Sequence, residues 1–198
     1  MSTLRPDLAI IAAAIKPGSR VLDIGCGDGA LLEYLFSQKA VDARGIEISR
    51  EGVSAAVARG LSVIQGDADT DLADYPTASF DVVVLSQTLQ ATQKPDVVLS
   101  QMLRIGKRAI VSFPNFGHWR ARLSVALSGR MPVTAALPVE WYETSNIHLC
   151  TILDFERLCK ARQIHILEAV YLINNRSTHQ RFMSNILAEQ GLFILTEQ

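Results

Sequence analysis

Apolar runs of strand length alternate along the chain with stretches whose apolar residues recur every three or four positions, the pattern of a doubly wound α/β sheet. The run LAIIAAAI, Leu8 to Ile15, reads as a buried helix packed on that sheet. Strands are expected at about Ser19–Ile24, Ala43–Ile48, Leu61–Gln65, Phe80–Ser86, Arg108–Phe113, Ile164–Ile173 and Gly191–Thr196. Between them, Leu31, Leu32, Leu35 and Phe36 recur at helical spacing, as do Val53, Ala56 and Val57. Ser49 is placed to cap the second of these helices and Gly60 to end it. A further helix is expected from about Pro95 to Leu103.

The alternation stops at Pro114. From there to Cys150 the chain carries Pro114, Pro132 and Pro138 and predicts one helix, with Trp119, Leu123 and Leu127 on one face. Some twenty residues without a clear element follow, and a loop that long in a compact domain is usually functional or disordered. Order resumes at Thr151, which with Asp154 forms a capping-box start for a helix burying Phe155, Leu158 and Cys159. No repeat or linker interrupts residues 1–198, so a single domain is expected, with an insertion at about 114–150 that faces a partner or an acceptor.

A chain of 198 residues is long enough to bury its own core, about 70 % of the surface its unfolded form exposes. Its net charge of −1 and lack of long single-sign runs do not suggest nucleic acid or a membrane surface as a bulk partner. Cys26, Cys150 and Cys159 form no C-x-x-C pair and cannot all be paired, which points to a reduced, cytoplasmic setting. The apolar run near the start is far shorter than the roughly 20 residues a membrane span needs. No metal site is expected.

The chemistry concentrates in VLDIGCGDGALL, Val21 to Leu32. An apolar strand carrying Asp23 feeds into Gly25, Gly27 and Gly29, a strand, tight loop and helix start built to let a ligand approach the backbone. The glycines alone admit a dinucleotide, because GCGDGA also satisfies G-x-G-x-x-G/A. Asp23 and Asp28 flank the position a pyrophosphate would take, and like charges about 4 Å apart at a surface-like dielectric repel by roughly 4 kcal/mol. The acids favour a cation, and S-adenosylmethionine brings an ammonium, a sulfonium and no phosphate.

Ligands of open α/β sheets lie at the carboxyl ends of the strands, at the point where strand order reverses. Gly25, Cys26, Gly27 and Gly29 would form the cradle, with Asp23 beside it. Glu47, ending the second strand, can accept both hydroxyl protons of a ribose, with Ile48 next to it. Asp67 and Ala68, after the third strand, suit adenine, the carboxylate accepting from the exocyclic amine. Ser86 and Gln87, after the fourth, would face the methionine end.

Together with FDVVVLSQTLQ, VSFPNFGHWR and WYETSNIHL, the glycine run makes the chain resemble the MetW family of bacterial methionine biosynthesis, within the class I adenosylmethionine-dependent methyltransferases. The resemblance runs from Leu4 to about Leu158 and departs at Ser145, where a proline is expected. It implies a three-layer Rossmann-like fold with a mostly parallel, seven-stranded sheet and helices on both faces. It also implies a partner, the homoserine O-acyltransferase that activates homoserine.

Methyl transfer from a sulfonium needs little beyond alignment, worth roughly 7 to 11 kcal/mol. The fourth strand is followed by Ser86-Gln87-Thr88-Leu89-Gln90, with no ionisable group and no N-P-P-Y-like turn. His118 and His148, as bases, and Tyr142, orienting a substrate, are the candidates for catalysis, and Arg120, Arg122 and Arg130 give their segment a local positive charge. Three readings stay open: an adenosylmethionine-binding accessory or regulatory subunit of the acyltransferase, a true methyltransferase of a small molecule, and a nicotinamide-dinucleotide oxidoreductase.

Overall fold

The computed structural model describes residues 4–134 and 136–197. An eight-stranded sheet runs through it, formed by β1 (Arg20–Ile24), β2 (Asp42–Glu47), β3 (Ser62–Gln65), β4 (Phe80–Ser86), β5 (Gly106–Pro114), β6 (His165–Ile173), β7 (Arg176–Thr178) and β8 (Gln190–Thr196). Their spatial order is β3-β2-β1-β4-β5-β8-β6-β7. The first five strands are parallel, while β8 pairs antiparallel with both β5 and β6. The helices are α1 (Pro6–Ala14), α2 (Ala30–Lys39), α3 (Arg50–Ala58), α4 (Pro95–Ile105), α5 (Trp119–Leu123), α6 (Ile152–Ala161) and α7 (Ser184–Leu187).

The chain runs outward from β1 through β2 to β3, then returns to the other side of β1 for β4 and β5. The strand order therefore reverses between β1 and β4, and a crevice opens there at the carboxyl ends. Helices on both faces explain why Val82–Leu85, the centre of β4, is apolar without a break. Val82 and Val84 pack with Leu8 and Ile11 of α1 and Leu31 and Leu35 of α2. Val83 and Leu85 point the other way, into a cluster with Val98, Leu99 and Met102 of α4 and Phe155 of α6.

Local signals hold at the caps. The Ser49 hydroxyl accepts the Gly52 N–H at 3.2 Å, and Thr151 and Asp154 form the complete capping box. Four expectations need correction. The sheet has an eighth strand, β7, joined to β6 by Asn174 and Asn175, both at positive φ, the requirement of a two-residue hairpin turn. In α6, Leu158 is only partly buried and Ile152 takes the interior place. The helix carrying Trp119, Leu123 and Leu127 is a five-residue α5 running into a wider turn at Ser124–Ser128, and all three side chains are exposed. Phe36 and Val57 likewise face outward, leaving Leu31, Leu32 and Leu35 of α2 and Ala56 of α3 inside.

Candidate functional site

The loop after β1 folds over the end of β2. Gly25 and Cys26 both donate their N–H to the Ile46 carbonyl, at 2.8 and 3.3 Å, which turns the chain sharply out of the strand. Gly25, Gly27 and Gly29 all have positive φ, of 69°, 57° and 81°. Two of them show different needs. A Cβ on Gly25 would lie 2.5 Å from the Thr88 hydroxyl, so the loop after β4 packs directly on it. A Cβ on Gly27 would meet nothing within 4 Å, so its left-handed backbone borders open space, as a ligand cradle must.

Glu47 holds this loop in place. Its Oε2 accepts the Gly27 N–H at 2.8 Å and its Oε1 the Ser49 N–H at 2.9 Å, and the residue is 8 % exposed. Gly52 of α3 is pressed against it, for a Cβ there would stand 2.9 Å from the Glu47 Cγ. Each carboxylate oxygen keeps a second lone pair, enough to take a vicinal diol.

Asp23, at register with Val84 of β4, is 3 % exposed. Burial pushes its carboxyl up to about 7, the Glu47 charge adds to the rise, and the Arg5 guanidinium opposes it. Asp28 lies outside this buried group: it is exposed and pairs with Arg59 at 2.8 Å, so the acidity of the crevice comes from Asp23 and Glu47 rather than from Asp28. Cys26 is half buried, its Sγ lying against Gly45, and burial with the nearby carboxylates raises its thiol well above the usual range. A thiol held in this way disfavours the thiolate that a nucleophile requires.

Ile48 is exposed beside the crevice, a flat apolar surface next to Glu47. Past β3, the Asp67 carboxylate accepts the Asp69 N–H at 2.9 Å, and Ala68 packs against the core beneath it. Asp69 in turn accepts the N–H groups of Gln93 and Lys94, fixing the start of α4.

Ser86 and Gln87 do stand at the end of β4, but with partners that sequence reasoning missed. The Ser86 hydroxyl donates to Asp7 at 3.0 Å and accepts from Arg5 at 2.9 Å, and Ser112 of β5 lies 3.2 Å away. Asp7 is 1 % exposed and its carboxylate is held by a two-point pair with Arg5, at 3.0 and 3.2 Å. The Gln87 side chain also reaches Asp7, at 3.4 Å, from a backbone held at φ 52°. Arg5 and Asp7 thus bring the first turn of α1 into the crevice. An acid opening a helix reads from sequence as a dipole partner, and only the arginine two residues earlier hints at more.

The catalytic candidates do not converge. His118 caps α5, its Nδ1 accepting the Arg120 N–H at 3.3 Å, and burial, reinforced by Arg120 against an opposing Glu189, holds its pKa below the ordinary value. It lines a small cavity with Asn115 and Glu189, whereas His148 lines another with Leu89, Cys150 and Asp154. The His148 Nε2 lies 3.3 Å from the Gln93 carbonyl. Tyr142 is exposed and packs edge-on against Trp141. Among the described residues no group of three or more His, Cys, Asp or Glu could hold a metal ion, and no helix is long and apolar enough to cross a membrane.

The sheet order, the glycine loop and the acid ending β2 define the fold of the class I adenosylmethionine-dependent methyltransferases. The phosphoethanolamine N-methyltransferase 2 of Haemonchus contortus, solved with S-adenosylmethionine, superposes with a TM-score of 0.69 at 16 % identity, covering 96 % of this chain and 52 % of that one. The [4+2]-cyclase SpnF superposes with a TM-score of 0.68 at 17 % identity, over 97 % and 81 % of the two chains, so the fold alone does not fix the reaction. Within this fold the chain belongs to the MetW family: the family model "Methionine biosynthesis protein MetW" matches residues 5–195. It is 34 % identical over 178 residues to the bifunctional methionine biosynthesis protein MetXA/MetW of Rhodopirellula baltica. That match covers 85 % of this chain and 29 % of the fused relative.

Proposed function

We propose that this MetW-family protein binds S-adenosylmethionine at the crevice between β1 and β4 and serves as an accessory subunit of the homoserine O-acyltransferase of methionine biosynthesis. The observation that carries the cofactor half is Glu47, buried at the end of β2 with both oxygens engaged by the loop and a lone pair on each left for the ribose hydroxyls. The other residues suit the rest of the molecule. Gly27 leaves room for the nucleoside, Ile48 and Asp67 suit the adenine, Asp23 suits the ammonium, and Arg5 is a cation able to take the carboxylate. When bound, the cofactor supplies an electrophilic methyl on a sulfonium. The Glu47 carboxylate, and Asp23 when ionised, oppose the pyrophosphate of a dinucleotide.

Support for the acyltransferase half comes from the fused relative, whose name joins MetXA to MetW in one chain. Adenosylmethionine is made from the pathway's product, so its occupancy here would report methionine supply to the enzyme that starts the branch. The test is to assay purified acyltransferase with and without this protein, using labelled adenosylmethionine. The reading expects acylation to depend on the protein with no adenosylhomocysteine released. Label transferred to an added metabolite would make the protein a true methyltransferase, and an unchanged acylation rate would remove the partner.

A further inference from the structure

The segment between β5 and α6 presents a run of exposed apolar side chains. Leu127 is 81 % exposed and Trp141 68 %, and Val125, Val133, Ile147 and Leu149 are exposed as well. Trp141, Ile147 and Leu149 line a cavity of about 260 Å3 together with Phe116, Met131 and Val139. Single exposed apolar side chains are ordinary, but a cluster around an apolar cavity marks an interaction site.

The segment is also tied to the crevice. The N–H groups of Ile147 and His148 both donate to the Gln90 carbonyl, at 2.8 and 3.0 Å. Gln90 is buried, and its amide donates to the Pro114 carbonyl at 3.0 Å. Three residues before it stands Gln87, and Thr88 between them packs on Gly25. One loop therefore supports the apolar segment at one end and the cofactor crevice at the other.

We infer that the exposed apolar face of residues 119–134 and 136–149, with its cavity, is the docking surface for the acyltransferase, an inference that rests on the accessory-subunit reading above. The relative's name joins MetXA to MetW in one chain, which points to the acyltransferase as the occupant. The charges give its rim a polarity. Arg120 and Arg130 are exposed on the first half of the segment, with Arg120 stacked 5.3 Å over Trp119, and Glu140 and Glu143 are exposed on the second. The complementary surface is an apolar centre with carboxylates at one edge and bases at the other.

The experiment measures the dissociation constant of purified acyltransferase for this protein and for its Leu127→Asp, Trp141→Ser and Arg130→Glu variants. Adenosylmethionine affinity serves as the control for folding. The inference expects Leu127→Asp and Trp141→Ser to weaken the complex at least tenfold, Arg130→Glu to weaken it in a salt-dependent way, and adenosylmethionine affinity to stay unchanged. Variants that bind the acyltransferase as tightly as the unmodified protein would overturn the surface and leave the subunit reading standing. No binding by the unmodified protein would end both. Self-association lost in Leu127→Asp, without an effect on the acyltransferase, would assign the face to a second copy of the chain and overturn the inference.

Discussion

Glu47 Oε2 accepts the backbone N–H of Gly27 at 2.8 Å, so the acid expected to read a ribose also fastens the loop that would cradle it. Glu47→Ala deletes this bond and the one to Ser49, leaving two partly buried donors without their acceptor, at a cost of about 1–3 kcal/mol. Thermal unfolding should show a lowered Tm together with lost adenosylmethionine binding. A Tm equal to that of the unmodified protein would mean that the carboxylate does not support the loop.

Gly25 and Gly27 should respond differently to alanine. At Gly27 the added methyl meets open space but leaves a non-glycine residue at φ 57°, a strain on the order of 1–2 kcal/mol, and it projects into the cradle. At Gly25 the same strain adds to a collision with Thr88. Denaturant titration should therefore rank Gly25→Ala as the less stable variant, while Gly27→Ala loses adenosylmethionine affinity and stays folded. Unchanged affinity in Gly27→Ala would place the ligand elsewhere.

The Asp23 carboxyl, raised to about 7 from 3.8, makes a signed pH prediction. Between those values the folded ligand-free protein keeps a proton that the unfolded chain has released. Its stability therefore falls as pH rises through that window and levels off above 7. Asp23→Asn should flatten this part of the profile. The ammonium of adenosylmethionine favours the ionised form, so affinity should rise roughly tenfold from pH 6 to pH 8. Calorimetry across that range checks it, and affinity falling with rising pH would contradict the placement of the ammonium at Asp23.

Arg5 is about half exposed and its partner Asp7 is buried, which sets the order of two substitutions. Arg5→Ala leaves a carboxylate buried without its cation and should cost about 2 kcal/mol, less than a fully buried pair because water already screens the guanidinium. Asp7→Asn removes the charge but can still hydrogen-bond Ser86 and Arg5, so it should cost less. The reverse order in denaturant titration would show that Arg5 does not neutralise Asp7.

Both tryptophans of the chain, Trp119 and Trp141, lie in the segment that Gln90 supports. Adenosylmethionine that displaces the Gln87–Gln90 loop should change the intrinsic fluorescence, and a titration with no spectral change would show the segment and crevice to be uncoupled.

Much of this was legible in the chain itself. The Val82–Leu85 stretch of β4 is apolar without a break because both faces are covered, and the caps at Ser49 and Thr151 rest on short-range bonds that local sequence encodes. Glycines and acids at strand ends pointed to the place where strand order reverses, and the sheet does reverse between β1 and β4. What escaped depends on distant residues. Asp7 meets Ser86 and Ser112 across 79 and 105 positions, which no local pattern records. Strand β7 is three polar residues long, and only the Asn174-Asn175 pair marks its turn. Leu123 and Leu127 keep a helical spacing but face outward, because spacing shows a shared face and not what covers it.

The most direct test of the cofactor crevice is a calorimetric titration of the protein with adenosylmethionine and, separately, with NAD. The account predicts saturable binding of one adenosylmethionine per chain, at least tenfold weaker in Gly27→Ala, and no heat with NAD. Tight NAD binding without an adenosylmethionine signal would contradict it.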